Sequence, residues 1–310
     1  MSSTKRAPSW IVVALLSLLV ACGNGDGGSD AGTTDTKKGD GDWLKGWSVL
    51  GEDAIAVGNL TAAWSNGKTG ADREWLLVGG SLAGTKDGVI WELRGDTWKA
   101  HKCPGAGLLW WVHGDASGRR IAVGDGGALI RWQSGDKTLK TDPIPSLATA
   151  KSQLFGVWFA DKGTSFWLVG GNTVAQTQTG LLWEVPFDAK TGAQVDAKAK
   201  KNTDAAKGGL VMKIWGTGDA GAERLFAVGE GGLIWSNPDG TWKQDGKVDI
   251  DRLIGVTGRS ADEVVAVGGL GSGGIARRDK DGWTKAAGCA ACFINGNLAA
   301  VILGDDGTVV

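Results

Sequence analysis

The chain has no tyrosine, only two histidines and a formal net charge of -1 over 310 residues. Each scarcity removes a class of function. Without tyrosine, no glycosidase mechanism that uses a tyrosine nucleophile can run. With only His101 and His113, a Ser-His-Asp or Cys-His machine has two possible bases, and no GxSxG elbow accompanies either. A near-neutral chain lacks the basic footprint that nucleic-acid binding needs, so no nucleic acid is expected. Beyond the first twenty residues no apolar run is long enough to cross a bilayer.

The chain is rich instead in glycine (53) and tryptophan (17). Glycine at this share, without a collagen period, fits many tight turns. The clearest unit is Leu225–Trp242, LFAVGEGGLIWSNPDGTW. Short apolar runs alternate there with Gly, Asn and Asp, which supply positive φ, so the stretch predicts three strands of a meander. Variants recur: Ile121 to Trp132 (IAVGDGGALIRW), Leu76 to Trp98, Trp167 to Trp183, and Val265 to Trp283. A further apolar segment precedes each Val-Gly, as in Leu154-Phe155-Gly156-Val157-Trp158 and Met212-Lys213-Ile214-Trp215-Gly216. The full repeat is therefore four strands with a period of roughly 40–50 residues, the range of propeller blades.

The N-terminus reads as a processing segment. Lys5 and Arg6 precede an apolar run from Trp10 to Val20, which ends in Leu19-Val20-Ala21-Cys22. This resembles a bacterial lipoprotein lipobox, which implies a signal peptide over 1–21 and a diacylglyceryl group on Cys22 as a link to membrane lipid. Gly23 after the cysteine favours the outer membrane within the cell envelope. Residues 22–42, GNGDGGSDAGTTDTKKGDGD after Cys22, bury too little apolar surface to repay their ordering and predict a flexible tether. The globular part is expected over 43–310.

The expected fold is all-β, a single β-propeller of about six four-stranded blades starting near Leu60, Leu108, Leu154, Val211, Leu253 and Phe293. Seven blades follow if Trp47–Asn59 forms a further hairpin. Gly39 to Leu44 resembles the final strand that Ile302–Val310 lacks, so the N-terminal strand is expected to complete the last blade and close the ring. Ala189–Lys207 is polar and reads as a long surface loop.

The repeat resembles those of bacterial secreted and lipoprotein propellers, in the style of the WD40-like, BNR/Asp-box and Ycf48-like photosystem-assembly families. Ser236-Asn237-Pro238-Asp239-Gly240-Thr241-Trp242 is similar to a degenerate Asp-box, which implies side-chain bonds to backbone and a Trp packed between blades. These motifs are architectural, and such families include enzymes, binding modules and scaffolds. Sialidases share Asp-boxes, but the missing tyrosine removes that reading.

Other candidate chemistry reduces to architecture. Phe187-Asp188-Ala189-Lys190-Thr191-Gly192 looks like the hairpin of quinoprotein propellers but occurs once, so no cofactor is implied. Asp125, Glu230, Asp305 and Asp306 fall in corresponding turns, where turn preference accounts for them. VGDGG and VGEGG lead into strands, whereas a phosphate loop leads into a helix. Cys103, Cys289 and Cys292 would sit in an oxidising context, in loops between blades. A disulfide, most simply Cys289–Cys292, is the first expectation, and a metal site with Cys103 and His101 the alternative. Tryptophans recurring in register (Trp91, Trp132, Trp183, Trp235; Trp43, Trp98, Trp242, Trp283) predict packing between blades. Trp110-Trp111 breaks that pattern, and with His101 and Cys103 it marks a candidate contact surface.

The functional expectation is a non-catalytic binding or scaffolding protein of the cell envelope, with a protein or glycan partner. A propeller hydrolase or lyase acting on glycans is the alternative, and an outer-membrane assembly factor a third.

Overall fold

In each repeat the first two strands are mostly apolar and the fourth bears lysine, and that gradient matches their positions. The structure is a computed structural model that describes residues 59–81, 87–144, 147, 152–173, 179–187, 200–201, 208–269 and 273–286. All of these belong to one unit, Gly58–Val310. They form five four-stranded antiparallel sheets, each a meander in chain order.

The first sheet contains β1 (Asn59–Ser65), β2 (Glu74–Gly80), β3 (Asp87–Arg94) and β4 (Thr97–Pro104). The second contains β5 (Leu109–Gly114), β6 (Arg119–Gly124), β7 (Leu129–Gln133) and β8 (Lys140–Thr141). The third contains β9 (Ser152–Trp158), β10 (Ser165–Asn172), β11 (Thr179–Pro186) and β12 (Lys200–Lys201). The fourth contains β13 (Val211–Thr217), β14 (Arg224–Gly229), β15 (Leu233–Ser236) and β16 (Lys243–Lys247). The fifth contains β17 (Leu253–Ser260), β18 (Glu263–Gly268), β19 (Gly274–Asp279) and β20 (Gly282–Lys285).

These five sheets begin where the sequence places the first five repeats. The sixth start at Phe293, the clasp between the two ends and positions 47–58 of the additional hairpin lie outside the described residues. One expectation is corrected. Lys200 and Lys201, assigned to a surface loop, pair with Glu184 and Trp183 as the fourth strand of the third sheet. Two adjacent lysines leave no hydrophobic alternation to read.

First strands of successive sheets lie beside one another in chain order, from β1 through β17. The core fills the spaces between adjacent sheets. Leu76, Val78 and Ile90 of the first sheet meet Leu109, Val112 and Ile130 of the second. Ile121, Val123 and Leu129 then meet Leu154, Phe166 and Leu168. Val169 and Leu182 meet Val211, Ile214 and Ala227, and Phe226 and Val228 meet Leu253, Val264 and Ala266. A side chain of this size contributes about 1.5–3 kcal/mol when fully buried. Second strands such as β14 (RLFAVG) and β18 (EVVAVG) are buried on both faces past their first residue, as strands covered on two sides must be.

Fourth strands are the open edges. β16 reads KQDGK and β4 TWKAHKCP, and lysines at an edge discourage pairing with another chain. Tryptophans pack across the inter-sheet spaces: Trp242 lies edge-on to Trp167 of the third sheet at 5.3 Å, and Trp283 edge-on to Phe226 of the fourth at 6.1 Å. In the Asp-box-like turn the bonds come from Asn237 and Asp239. Asn237 Oδ1 accepts from the Leu225 amide at 2.8 Å and Asp239 Oδ1 from the Thr241 amide at 3.0 Å. Among the described residues no helix is long and apolar enough to cross a membrane.

Candidate binding site at the bulged ends of the first strands

A four-stranded meander has two ends. One carries the turns between second and third strands and the start of each first strand; the other carries the remaining hairpins. The Val-Gly signature of the repeat belongs to the first end, and the structure shows why it recurs.

In every sheet the pairing of first and second strands slips by one residue opposite that Val-Gly. The bulged residues are Thr61, Trp110, Phe155, Met212 and Ile254. The slip drives a first-strand carbonyl against the second-strand glycine. A Cβ on Gly79 would collide with the Asn59 carbonyl oxygen, and on Gly124, Gly170, Gly229 or Gly268 with that of Leu108, Gln153, Leu210 or Arg252. No side chain fits there, so the repeat keeps glycine. Bulges of this kind re-aim the side chain they carry. The adjoining turn needs glycine for a different reason: φ is 66° and 73° at Gly126 and Gly127, and 63° and 67° at Gly231 and Gly232.

The bulge positions carry different side chains on the same backbone. Trp110, Met212 and Ile254 are half-buried, and Phe155 is more enclosed. The Trp110 ring lies edge-on to Phe155 at 5.9 Å, and its Nε1 donates to Asp125 Oδ1 at 2.6 Å. Thr61 commits its hydroxyl to the Val78 carbonyl at 3.1 Å and to that of Leu109 in the next sheet. One residue further in stand Trp111 of β5 and Lys213 of β13. The Lys213 Nζ sits 3.7 Å from the centre of the Trp111 ring and donates to the Phe155 carbonyl at 3.2 Å. Burial pushes its ammonium down to about 7, although the residue as a whole keeps part of its surface open. The ammonium is the enclosed part of the side chain, and the surface that stays open belongs to the rest of the residue.

Glu230, next in chain after the fourth-sheet Val-Gly, pairs with Arg252 at the entry to β17, and their backbones form a bridge. Asp125 and Glu230 thus do occupy equivalent places, since their amides bond Leu108 and Leu210 carbonyls at 2.9 Å each. Each carboxylate is committed to a neighbour within the protein. Asp305 and Asp306 lie outside the described residues.

The candidate surface residues divide. Trp110 and Trp111 lie on β5 at the bulged end, both half-buried. His101 and Cys103 lie on β4, the outer strand of the preceding sheet. Against the expectation of a loop between sheets, Cys103 lies in the strand itself and is 4% exposed. A pairing partner, Gly88 of β3, extends the strand to the residues before Pro104. Burial, and then the Asp87 carboxylate, push its thiol up to about 12, so it stays protonated and unreactive. His101 has its pKa lowered, first by burial and then by Lys99, with Glu92 acting in the opposite direction from 3.6 Å. Cys22, Cys289 and Cys292 lie outside the described residues, and so does any pairing between the last two.

The opposite end holds a cleft of about 560 Å³ between the first and second sheets, and an equivalent one of about 430 Å³ between the fourth and fifth. Size alone would favour it as the site. Its buried arginines, however, are already paired. Arg120 binds Glu74 through two nitrogens, donates to the Asp115 carbonyl at 2.7 Å and covers the Trp64 ring at 4.4 Å. Arg119 binds Asp115 and reaches the Gly163 carbonyl at 2.7 Å, in the third sheet's hairpin. Arg278 joins Asp245 at 3.3 Å and the Ala261 carbonyl at 2.6 Å. These arginines fasten one sheet to the next. Sequence reasoning passed over both Lys213 and Arg120; the signal available was a charged residue inside an otherwise apolar run.

No protein-family model and no curated protein sequence matches the chain. Among solved structures it is similar to YCF48 from Cyanidioschyzon merolae, with 15% sequence identity and a TM-score of 0.48, covering 76% of this chain and 70% of that one.

Proposed function

We propose that this protein is a non-catalytic binding or scaffolding module of propeller type, held at the cell envelope by a lipid on Cys22. The observation that carries the reading is the set of bulge positions. The same backbone device recurs in five sheets, and the side chains it presents are Thr61, Trp110, Phe155, Met212 and Ile254. A constant frame presenting unlike, mostly apolar side chains at one end is how a recognition surface is built. The charged groups that catalysis would need are tied into inter-sheet clamps, and His113 is enclosed and neutral.

On this reading the partner, a protein in preference to a glycan, meets the end that carries the bulges. The lipid at Cys22 and the tether over 22–42 would keep the protein among envelope components, with the outer membrane as the favoured location. The test is site-specific photo-crosslinking on membranes of the host. A crosslinker at Trp110 should give a saturable protein adduct, and one at Lys68, at the opposite end, should give none. Equal labelling from both positions, or adducts with glycan alone, would sink the protein-scaffold reading. Cys22→Ser should release the protein from the membrane fraction; if it stays bound, the anchor is wrong.

A further inference from the structure

Lys213 is a cation whose counter-charge is missing among the described residues. Its Nζ makes one hydrogen bond, to the Phe155 carbonyl at 3.2 Å, and rests 3.7 Å from the centre of the Trp111 ring. An ammonium has three N–H donors, so the described protein claims one and shields another side with a π face. The acidic residues of the adjoining turns are taken: Asp125 by the Trp110 indole, Glu230 by Arg252. Burial alone accounts for the depressed basicity of Lys213, with no carboxylate acting against it. A lysine used only for stability would gain more as a methionine, because an unpaired cation in an apolar setting is costly.

Its surroundings define what could pair with it. Lys213 follows the bulged Met212, bonds the bulged Phe155, and lies one strand from the bulged Ile254; Trp110 packs on Phe155. A ligand reaching the ammonium must therefore bring an anion and apolar groups together. The half-buried apolar positions, Trp110, Met212 and Ile254, stand on separate strands on either side of the buried Phe155, which suits side chains spaced along a peptide better than one continuous acyl tail.

We propose that the bulged end of the first strands is a receptor for an apolar peptide segment bearing a carboxylate, with Lys213 as the counter-charge and Trp110, Met212 and Ile254 as flanking contacts. This deepens the binding-module reading and rests on it. A carboxylate at Lys213 would form the charge-assisted hydrogen bonds that the protein leaves unmade, and would do so away from bulk water, where they are strongest.

The test uses the full chain and three fluorescent probes: an apolar hexapeptide with a free C-terminal carboxylate, the same peptide as its C-terminal amide, and decanoate. The acid peptide should bind about tenfold or more tightly than the amide, the ratio expected for one charge-assisted bond in a desolvated site. Lys213→Met should erase that ratio and Lys213→Arg should keep most of it, with thermal melts confirming that both variants are folded. Equal binding of acid and amide overturns the role of Lys213 while leaving the recognition surface standing. Binding of neither peptide overturns the receptor, and decanoate binding as tight as the acid peptide reassigns the site to a lipid. Loss of Trp110 crosslinking in the membrane experiment is a separate failure, that of the broader reading.

Discussion

The two ends of the sheets solve the same problem of joining neighbours in opposite ways. At the hairpin end, arginines close the gaps: Arg120 reaches Glu74 of the preceding sheet, Arg119 the Gly163 carbonyl of the following one, and Arg278 reaches Asp245. At the bulged end the contacts are side chains of unlike kinds, and a lysine stands with no counter-charge among the described residues. One end is satisfied within itself and the other is left partly unsatisfied. The lesson is that a cleft need not be where unmet polar groups lie, since the clefts of the hairpin end are closed over by arginines that already have partners.

That contrast breaks most sharply at Arg120. Arg120→Ala would leave Glu74, 6% exposed, as a buried charge with its main partner gone. The expected cost is about 3–5 kcal/mol, the usual range when one member of a buried pair is removed. Chemical denaturation with and without the substitution measures it. A loss below about 1 kcal/mol, as at an exposed pair, would mean the clamp is not holding the sheets.

Acid should loosen the same end next. His113 is half-buried with its ring between sheets, its Nε2 3.1 Å from the Phe159 carbonyl, and burial lowers its pKa to about 4 from the ordinary 6.5. Its folded pKa lies below the unfolded one, so the unfolded chain binds the proton more readily. The stabilisation is complete above pH 6.5 and is lost as pH falls through 6.5 towards 4. The full loss is on the order of 3 kcal/mol. His113→Gln should flatten that part of the stability-versus-pH curve; an unchanged slope would assign the acid sensitivity to other groups.

At the bulged end the comparable test is steric. Gly229→Ala forces a methyl into the Leu210 carbonyl, and because the obstacle is backbone, relief requires undoing the bulge. About 1–3 kcal/mol is expected, with hydrogen-exchange protection falling first at Met212 and Lys213. Gly231→Ala has open space around it but needs a positive φ of 63°, so its cost should be smaller, roughly 1 kcal/mol. If the two cost the same, close approach is not what keeps the Val-Gly signature.

How far the sequence disclosed this arrangement depends on which residues one asks about. The four-stranded repeat and its five described starting points follow from apolar runs punctuated by glycine, because strand alternation and turn chemistry are local. The Val-Gly signature is visible as a pattern, but its cause is not: the colliding carbonyl lies about 20 residues away in the chain and meets the glycine only after the strands pair. Lys140-Thr141 and Lys200-Lys201 carry no hydrophobic signal, and backbone pairing alone makes them strands. Cys103 reads as a loop residue because it follows Trp98 by a few residues, yet the edge strand runs on to Pro104. The candidate site is half legible. Trp110-Trp111 stands out as a break in the tryptophan register, whereas Lys213 in MKIWG shows only as a charge in an apolar run, and its role is hidden because its contacts with Trp111 and Phe155 join three sheets.

One expected effect is of opposite sign. Lys213 titrates near 7 when folded, against 10.5 for an ordinary lysine, so the folded protein pays to protonate it. That penalty is absent above pH 10.5, grows as pH falls towards 7, and is constant below. Removing the charge while keeping the bulk, as in Lys213→Met, should therefore stabilise the protein at neutral pH. Solvent reaches part of the residue, so the gain is on the order of 1–2 kcal/mol, well short of the full shift. It should shrink as pH rises towards 10, a trend that thermal melts across pH would follow. A stabilised variant that has lost its preference for the acid peptide would place Lys213 among residues kept for binding at a cost to the fold. Destabilisation instead would mean that the Phe155 and Trp111 contacts outweigh the cost of burying the charge, and that Lys213 is a structural strut.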